Sequence, residues 1–196
     1  MLIDPQTFIP GKTLSVQSIN PSNDGTKLLI AYSEAGAEVS TLRVMDVKTR
    51  KFLSDVINDT AGAGDWTFDD SAFFYTWIKS ADNTDPTARL NPKSKLHKLG
   101  SDNSKDVDFF SSGSYPAMKI DEKVYPVNFL YKDNPNYIFA AESSVQNELV
   151  SYYAPIDQFN SKTIPWKKLT SADDKIVRGM EIFGDKIYAI TYKNAK

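Results

Sequence analysis

Residues 65–77 read Asp-Trp-Thr-Phe-Asp-Asp-Ser-Ala-Phe-Phe-Tyr-Thr-Trp, and this stretch predicts two β-strands joined by a tight turn. The run Asp69-Asp70-Ser71 is typical of a turn, because Asp and Ser side chains bond to nearby backbone groups and tolerate turn geometry. The aromatic residues on both sides of the turn favour strands. The stretch therefore predicts an antiparallel β-hairpin.

The same arrangement occurs at three other places in the chain. The four stretches are NDGTKLLIAYS (23–33), FDDSAFFYTW (68–77), KDNPNYIFAAE (132–142) and FGDKIYAITY (183–192). Their first strongly apolar strand residues are Leu28, Phe73, Tyr137 and Ile187, which lie 45, 64 and 50 residues apart. Spacing of this size is typical of the blades of a β-propeller.

Further short segments complete each repeat. Strand-compatible segments precede the four turns at residues 14–19, 64–68, 127–131 and 176–183. After each of the first three hairpins come two more: STLRVMDV and LSDVIND, SKLHKLG and VDFFSS, then ELVSYYAPID and PWKKLTS. Each repeat thus has four strands, and residues 28–31 and 73–75 are apolar on both faces, as stacking between blades requires.

The predicted fold is all-β, a partial β-propeller of about three and a half four-stranded antiparallel blades. The blades are expected near residues 13–60, 61–112 and 120–172, with a partial blade at 173–196. Residues 55–63 also permit a turn of helix, but Asn58, Gly62 and Gly64 argue against a stable one. Closed propellers carry four to eight blades, so we interpret the chain as one fragment of a longer propeller domain, cut at both ends.

Composition excludes several classes of function. Lys and Arg total 23 against 25 Asp and Glu, so the net charge of −2 leaves no surplus for nucleic-acid phosphates. The absence of Cys excludes disulfides and thiolate sites, and one histidine, His97, excludes a His-rich metal site. The sequence has no run of 18 apolar residues and no signal peptide at its start, so we expect no membrane partner. The compartment stays open between cytoplasm and periplasm.

No residue is predicted to be catalytic or to bind a cofactor or a metal ion. The Gly-x-Ser-x-Gly sequence of a nucleophile elbow does not occur, and His97 is expected to be an exposed or partly packed strand residue rather than a base. The acidic groups lack the spacing of a calcium loop and are interpreted as solvated loops; they are Asp82, Asp85, Asp102, Asp106 and Asp108.

Two other features have plain interpretations. The one basic concentration is flanked by acidic residues, which indicates a mixed-charge surface; it consists of Arg89, Lys93, Lys95, Lys98 and Lys105. The long loop at 79–93 is where a partner contact or poor order is first expected. The large aromatic residues are expected mostly in the core between sheets.

Six segments in register resemble the propeller of the prolyl oligopeptidase family. They are LIDPQTF (2–8), SNDGTKLLIAYSEAG (22–36), VMDVKTRKFLSDVI (44–57), DWTFDDSAFFYTW (65–77), KSKLHKLGSDNSKDVDFF (93–110) and YIFAAESSVQNELVSYY (137–153). The strongest are DWTFDDSAFFYTW, similar to the family's Trp-Thr-x-Asp-x-x-x-Phe-Phe-Tyr strand pair, and the stretch that begins at His97, similar to its His-x-Leu-Gly-Thr-x-x-Ser-x-Asp. The match extends over nearly the whole chain.

The resemblance implies a two-domain serine peptidase. An α/β-hydrolase domain bearing Ser, Asp and His would be capped by a seven-bladed propeller, which admits short peptides for cleavage after proline and excludes folded proteins. The present chain would be about the first half of that propeller, without the triad. It departs from the family at Gly36-Ala37-Glu38-Val39, at Ala61 and at Ser144, so no substrate contact is assigned.

Two hypotheses about function follow. The first is the non-catalytic propeller portion of a prolyl endopeptidase, which gates access of short peptide substrates to the catalytic domain of the parent chain. The alternative is a propeller scaffold for interaction or ligand binding, without peptidase activity. A Gly-x-Ser-x-Gly elbow in the downstream gene sequence would favour the first. Because three and a half blades are half of seven, the open blade edges also predict a possible homodimer.

Overall fold

The computed structural model describes residues 3–4, 6, 9–34 and 36–194, and for Arg178 only the backbone. Its strands form three antiparallel sheets of seven, four and two strands. The strands are β1 (Leu14–Pro21), β2 (Lys27–Glu34), β3 (Ser40–Asp46), β4 (Lys51–Trp66), β5 (Ala72–Trp77), β6 (Lys93–Lys98), β7 (Val107–Phe110), β8 (Tyr125–Phe129), β9 (Tyr137–Ser143), β10 (Val150–Pro155), β11 (Lys167–Thr170), β12 (Ile176–Phe183) and β13 (Lys186–Thr191).

Helical structure in the described residues is limited to four single turns of 3₁₀ helix, at Asn103–Lys105, Pro116–Met118, Ile156–Gln158 and Ala172–Asp174. No helix in the part of the chain that the structure describes is long and apolar enough to cross a membrane. The all-β prediction is therefore confirmed, and the chain folds as a partial β-propeller.

The seven-stranded sheet contains two groups of four strands that share β4. The first part of β4 pairs with β3 as far as Thr60, and from Thr60 onward the same strand pairs with β5. Positive φ angles at Asp59 and Gly62 bend the strand where it passes from one group to the other. Residues 55–63 are thus strand and not helix, because backbone pairing with both neighbours decides their conformation.

We call these groups units one to four. Unit one is β1–β4, unit two runs from Thr60 of β4 to β7, unit three is β8–β11 and unit four is β12–β13. In every unit the strands follow one another in chain order as antiparallel neighbours. The four hairpins predicted from the repeated turns are present as β1–β2, β4–β5, β8–β9 and β12–β13.

Apolar side chains fill the space between successive units. Leu29 and Val44 of unit one pack with Trp66 and Phe73 of unit two, while another cluster joins units two and three. Burial on both faces explains the continuous apolar runs in β2 and β5. Strand β5 packs against units one and three, whereas the second face of β2 is covered within its own unit and by Ile3 and Ile9 of the segment before β1. A third cluster, which contains Phe139, Met180 and Ile182, joins units three and four.

Candidate functional site

The first strands of the units lie next to one another, and in a propeller these strands face the central axis. Hydrogen bonds connect them from unit to unit. They run from Asn20 Nδ2 to Gly64 O (3.4 Å), from Leu130 N to Asp65 Oδ2 (3.0 Å) and from Tyr131 Oη to Met180 O (2.6 Å). The inner surface is thus continuous across all four units.

Exposed side chains on these inner strands are of mixed character. On β1 they alternate with half-buried ones, and Ser15, Gln17 and Ile19 are exposed. On β12, Glu181 and Phe183 are exposed. Most of these groups are uncharged, and the single histidine of the sequence, His97, lies in β6 and not on this surface, so no His–Ser pair forms there. This surface can bind or exclude a chain that passes along it, but it offers no set of groups for acyl transfer.

Asp65 is a half-buried acidic residue of this surface, at the contact between the first strands of units two and three. It lines three cavities, of about 510, 320 and 190 Å³. Burial raises the pKa of the Asp65 carboxyl, and the hydrogen bond from Leu130 N offsets only part of that rise. Among the described residues, no basic side chain lies within 4.0 Å of it. Sequence reasoning missed Asp65; a carboxylate directly before the buried Trp66 was the available signal.

The cavity of about 510 Å³ lies between β8, the β9–β10 connection and β12. Phe129 and Tyr131 form an aromatic part of its wall, and Glu142 and Glu148 contribute carboxylates. Glu142 accepts a 2.5 Å hydrogen bond from Tyr152 Oη, and burial first and this carboxylate second raise the pKa of that tyrosine. Lys175 Nζ lies 3.6 Å from Glu148 Oε1 and balances that charge, whereas Asp65 and Glu142 have no ion-pair partner among the described residues. The cavity is thus acidic and partly aromatic, which suits an extended chain with a cationic group.

A turn-to-turn contact fixes unit one against unit two. Asp70, at the β4–β5 turn, accepts bonds from Asn23 N (2.7 Å), Asn23 Nδ2 (2.7 Å) and Asp24 N (2.9 Å) of the β1–β2 turn. Asp70 has a φ of 56°, a conformation that Asp tolerates better than most residues. Units three and four have a related contact, because Asn134 Nδ2 donates to Gly184 O at 2.8 Å.

The His97 side chain is more deeply buried than the sequence suggested. We expected an exposed or partly packed strand residue, but its side chain is completely buried in β6. Its Nδ1 is 2.8 Å from Asp106 Oδ1, and its Nε2 is 3.0 Å from Asp55 Oδ1. Gly100 N also donates to Asp55, and Tyr75 Oη donates to Asp106 Oδ2 at 2.9 Å. A neutral imidazole has one N–H and can donate to only one of these carboxylates, whereas the doubly protonated ring donates to both.

The electrostatics of His97 agree with this geometry. Burial by itself lowers the pKa of His97, but hydrogen bonds and charges from Asp106 and Asp55 outweigh it, so that the net pKa is raised. The Asp106 side chain is fully buried too, which corrects the expectation of a solvated loop. Asp106 is buried because it forms an ion pair with His97 across the β6–β7 connection. Asp55 lies in unit one, so the cluster of Asp55, His97 and Asp106 connects units one and two and stabilises their packing.

The remaining predicted features lie on the surface. Lys93 Nζ and Lys95 Nζ are 2.6 and 3.6 Å from Asp108, in agreement with a mixed-charge surface. The loop before β6 contains an ion pair between Lys79 and Asp85 of 3.3 Å.

In residues 3–4, 6, 9–34 and 36–194 no three His, Asp or Glu side chains are placed to hold a metal ion. Ala61 and Ser144 are exposed, as are Gly36, Ala37 and Glu38 in the connection after β2, where Val39 is half-buried.

Comparison with known proteins identifies the family to which this chain belongs. The sequence profile of the prolyl oligopeptidase N-terminal β-propeller domain matches residues 1–195. The chain therefore belongs to this family of propeller domains, as its partial propeller fold and the resemblance in six segments indicated.

Particular relatives are prolyl endopeptidases. The chain is similar to that of Elizabethkingia meningoseptica (25% identity over 199 residues) and that of Elizabethkingia miricola (23% over 200 residues), covering 100% of this chain and 26% of each relative. A structure from a study of two prolyl endopeptidases superposes with a TM-score of 0.75 at 19% identity, over 98% of this chain and 26% of that one. Prolyl oligopeptidase B of Galerina marginata, bound to a 25mer macrocyclization substrate, gives 0.74 at 18% identity, over 98% and 28%. The chain thus spans about a quarter of the length of these relatives.

Proposed function

We propose that this chain is the non-catalytic propeller portion of a prolyl oligopeptidase-like serine endopeptidase. In the parent protein, an α/β-hydrolase domain would hydrolyse short peptides after proline, and the propeller would limit access to it. The observation that carries the proposal is the family match over residues 1–195, together with relatives named prolyl endopeptidases that are about four times as long.

A gating role is consistent with the inner surface. Exclusion of bulky substrates is steric and needs no reactive side chain, only a channel lined by side chains that a peptide can pass. The exposed groups on β1 and β12, such as Ser15, Gln17 and Phe183, fit that requirement. The first strands are connected from unit to unit by single hydrogen bonds rather than by backbone ladders. Small movements of unit three or unit four would therefore break few hydrogen bonds at the inner surface, whereas Asp70 and the His97 cluster hold units one and two together.

The test begins with the parent gene. A Gly-x-Ser-x-Gly elbow downstream of the codon for Lys196 is expected, followed by prolyl-specific cleavage of a fluorogenic Gly-Pro peptide by the full-length protein. The chain of 196 residues alone should leave the same peptide intact. In the full-length protein, a ten-residue proline peptide should be cleaved and a folded protein with exposed proline loops should not. Cleavage by the chain alone, or the absence of a hydrolase domain in the gene, would contradict the proposal and favour the scaffold function.

We also propose that the blades of the propeller are residues 13–60, 61–112 and 120–172, with a partial blade at 173–196. The strand groups support it, because β4 changes partner at Thr60 and no strand occupies residues 111–124. Limited proteolysis should cut first between residues 112 and 120. Preferred cleavage inside one of the four-strand groups would refute this division.

A homodimer of this chain through its open edges is a further proposal. In the described residues β13 has a strand partner on one side only, and the final hairpin exposes large apolar groups. These are Phe183, Ile187, Tyr188, Ile190 and Tyr192. Light scattering of the chain should show twice the 21.9 kDa of one copy at micromolar concentration. A monomer across the whole concentration range would refute the dimer.

A further inference from the structure

A small cavity lies between the inner strands of units two and three. Its volume is about 190 Å³, and its walls include Asp65 from β4 together with Val127 and Phe129 from β8. Gly64 also borders it, and a Cβ at this position would lie 2.9 Å from Phe74 Cβ. Glycine at 64 therefore allows β4 and β5 to approach closely beside the cavity.

Two polar side chains of the wall are buried without a hydrogen-bond partner. Ser94 is 1% exposed and Asn128 is 2% exposed. Ser94 Oγ and Asn128 Oδ1 both lack a partner in the described part of the chain. An unpaired buried acceptor is unfavourable by about 1–3 kcal/mol, so both atoms are available to accept a hydrogen bond from an occupant of the cavity.

Most side-chain donors of the wall are already used, the Ser94 hydroxyl being the exception. Asn128 Nδ2 donates to Phe139 O at 3.0 Å, Thr76 Oγ1 donates to Pro126 O at 3.1 Å, and Tyr75 Oη donates to an aspartate outside the cavity. No Lys or Arg is among the lining residues. The cavity thus presents a carboxylate, an amide oxygen and a hydroxyl to any occupant, and it offers few hydrogen atoms in return.

From this arrangement we propose that the cavity binds a primary ammonium group. An R–NH₃⁺ group has three N–H donors and one positive charge, and the lining supplies three side-chain acceptors, of which the Asp65 carboxylate has no ion-pair partner among the described residues. A bare monovalent ion would leave much of the volume empty, whereas the apolar walls from Val127 and Phe129 suit the carbon attached to the nitrogen. The site is independent of the peptidase proposal, because it lies entirely within this chain.

The small cavity borders a larger one. Asp65, Val127 and Phe129 also line the cavity of about 510 Å³ toward β12. A ligand anchored by its ammonium group could extend into that larger, partly aromatic space. The free N-terminus of a peptide and the side chain of a lysine share this chemistry, and the experiment must separate them.

Titration calorimetry and amide NMR on the 196-residue chain provide the first test. Ethylammonium chloride should bind saturably and shift the Asn128 side-chain amide and the Gly64 amide. Tetramethylammonium and potassium chloride at the same concentration should not, because neither has N–H donors. Equal binding of either control, or no saturable binding of ethylammonium up to 50 mM, would overturn the proposal.

Variants locate the site. Asp65→Asn removes the charge and keeps an acceptor for Leu130 N, and it should weaken ethylammonium binding about tenfold or more. Asp133→Asn makes the same change of charge at an exposed position in the nearby turn and should leave affinity unchanged. If Asp65→Asn does not fold, Ser94→Ala should still weaken binding measurably. Equal affinity of wild type and a folded Asp65→Asn or Ser94→Ala protein would refute the assignment.

The source of the amine is resolved by three peptides. Ala-Ala-amide has a free N-terminus, acetyl-Lys-amide has only a side-chain amine, and acetyl-Ala-Ala-amide has neither. Binding of either of the first two supports the site and identifies the source, and equal binding of the third refutes it. Affinity should also fall as the pH is lowered, because protonation of Asp65, whose pKa is raised by burial, removes the charge that attracts the ligand.

Discussion

Replacement of His97 should destabilise the chain strongly and abolish a pH dependence. The imidazole lies between the buried carboxylates of Asp55 and Asp106, so its removal leaves two buried charges facing each other. Loss of one partner in such a cluster is unfavourable by about 3–5 kcal/mol. For a domain whose total stability is about 5–15 kcal/mol, His97→Ala should be close to unfolded, and His97→Gln, which keeps one amide donor, should lose less.

The direction of the pH effect follows from the raised pKa of His97. Folded protein holds the proton to higher pH than unfolded protein, in which histidine titrates near pKa 6.5. The stabilisation by protonated His97 is complete below pH 6.5 and is lost as the pH rises through the folded-state pKa of His97. The unfolding free energy of the wild type should therefore fall between these two pH values. His97 is the single histidine in the sequence, so His97→Gln should remove this slope.

Urea unfolding followed by tryptophan fluorescence between pH 6 and 9 measures both effects. Trp66 is a suitable probe, because it is buried and contacts Phe73, which itself packs on His97. The difference in unfolding free energy between wild type and His97→Gln should be largest at the acidic end. A difference below about 0.5 kcal/mol at every pH, or a wild-type stability that rises with pH, would refute the claim that protonated His97 stabilises the fold.

Three other perturbations test the fold and its association, the first two with matched control variants. Asp70→Ala removes three hydrogen bonds between units one and two and should reduce the unfolding free energy by about 3 kcal/mol, whereas Asp69→Ala breaks bonds only within its own turn and should lose about 1 kcal/mol. Gly64→Ala should be unfavourable by about 1–3 kcal/mol because the new Cβ meets Phe74, while at Gly113 the nearest atom is 3.9 Å away and the same change should be neutral in urea unfolding. Ile190→Glu should shift light scattering toward monomer, and an unchanged mass would argue against association through β13.

The strands and their order could be predicted from the sequence because their signals are local. A turn rich in Asp, Asn and Gly followed by an aromatic or aliphatic run predicts a hairpin wherever it occurs, and the chain repeats it four times. Continuous apolar runs at residues 28–31 and 73–75 predict burial on both faces, and the structure confirms it. The family resemblance also rests on segments of chain that can be compared by reading along it.

Tertiary structure alone decided the polar interior. Asp55 and His97 are 42 residues apart in the chain, and nothing in either neighbourhood indicates that they meet. The surroundings of Asp65 are equally non-local, because its cavity is made by residues of β5, β6 and β8 as well as β4. Local sequence determines which segments become strands, since backbone propensity and turn chemistry act over a few residues. Which charges are buried together depends on how sheets stack, and stacking is set by contacts between residues far apart in the chain.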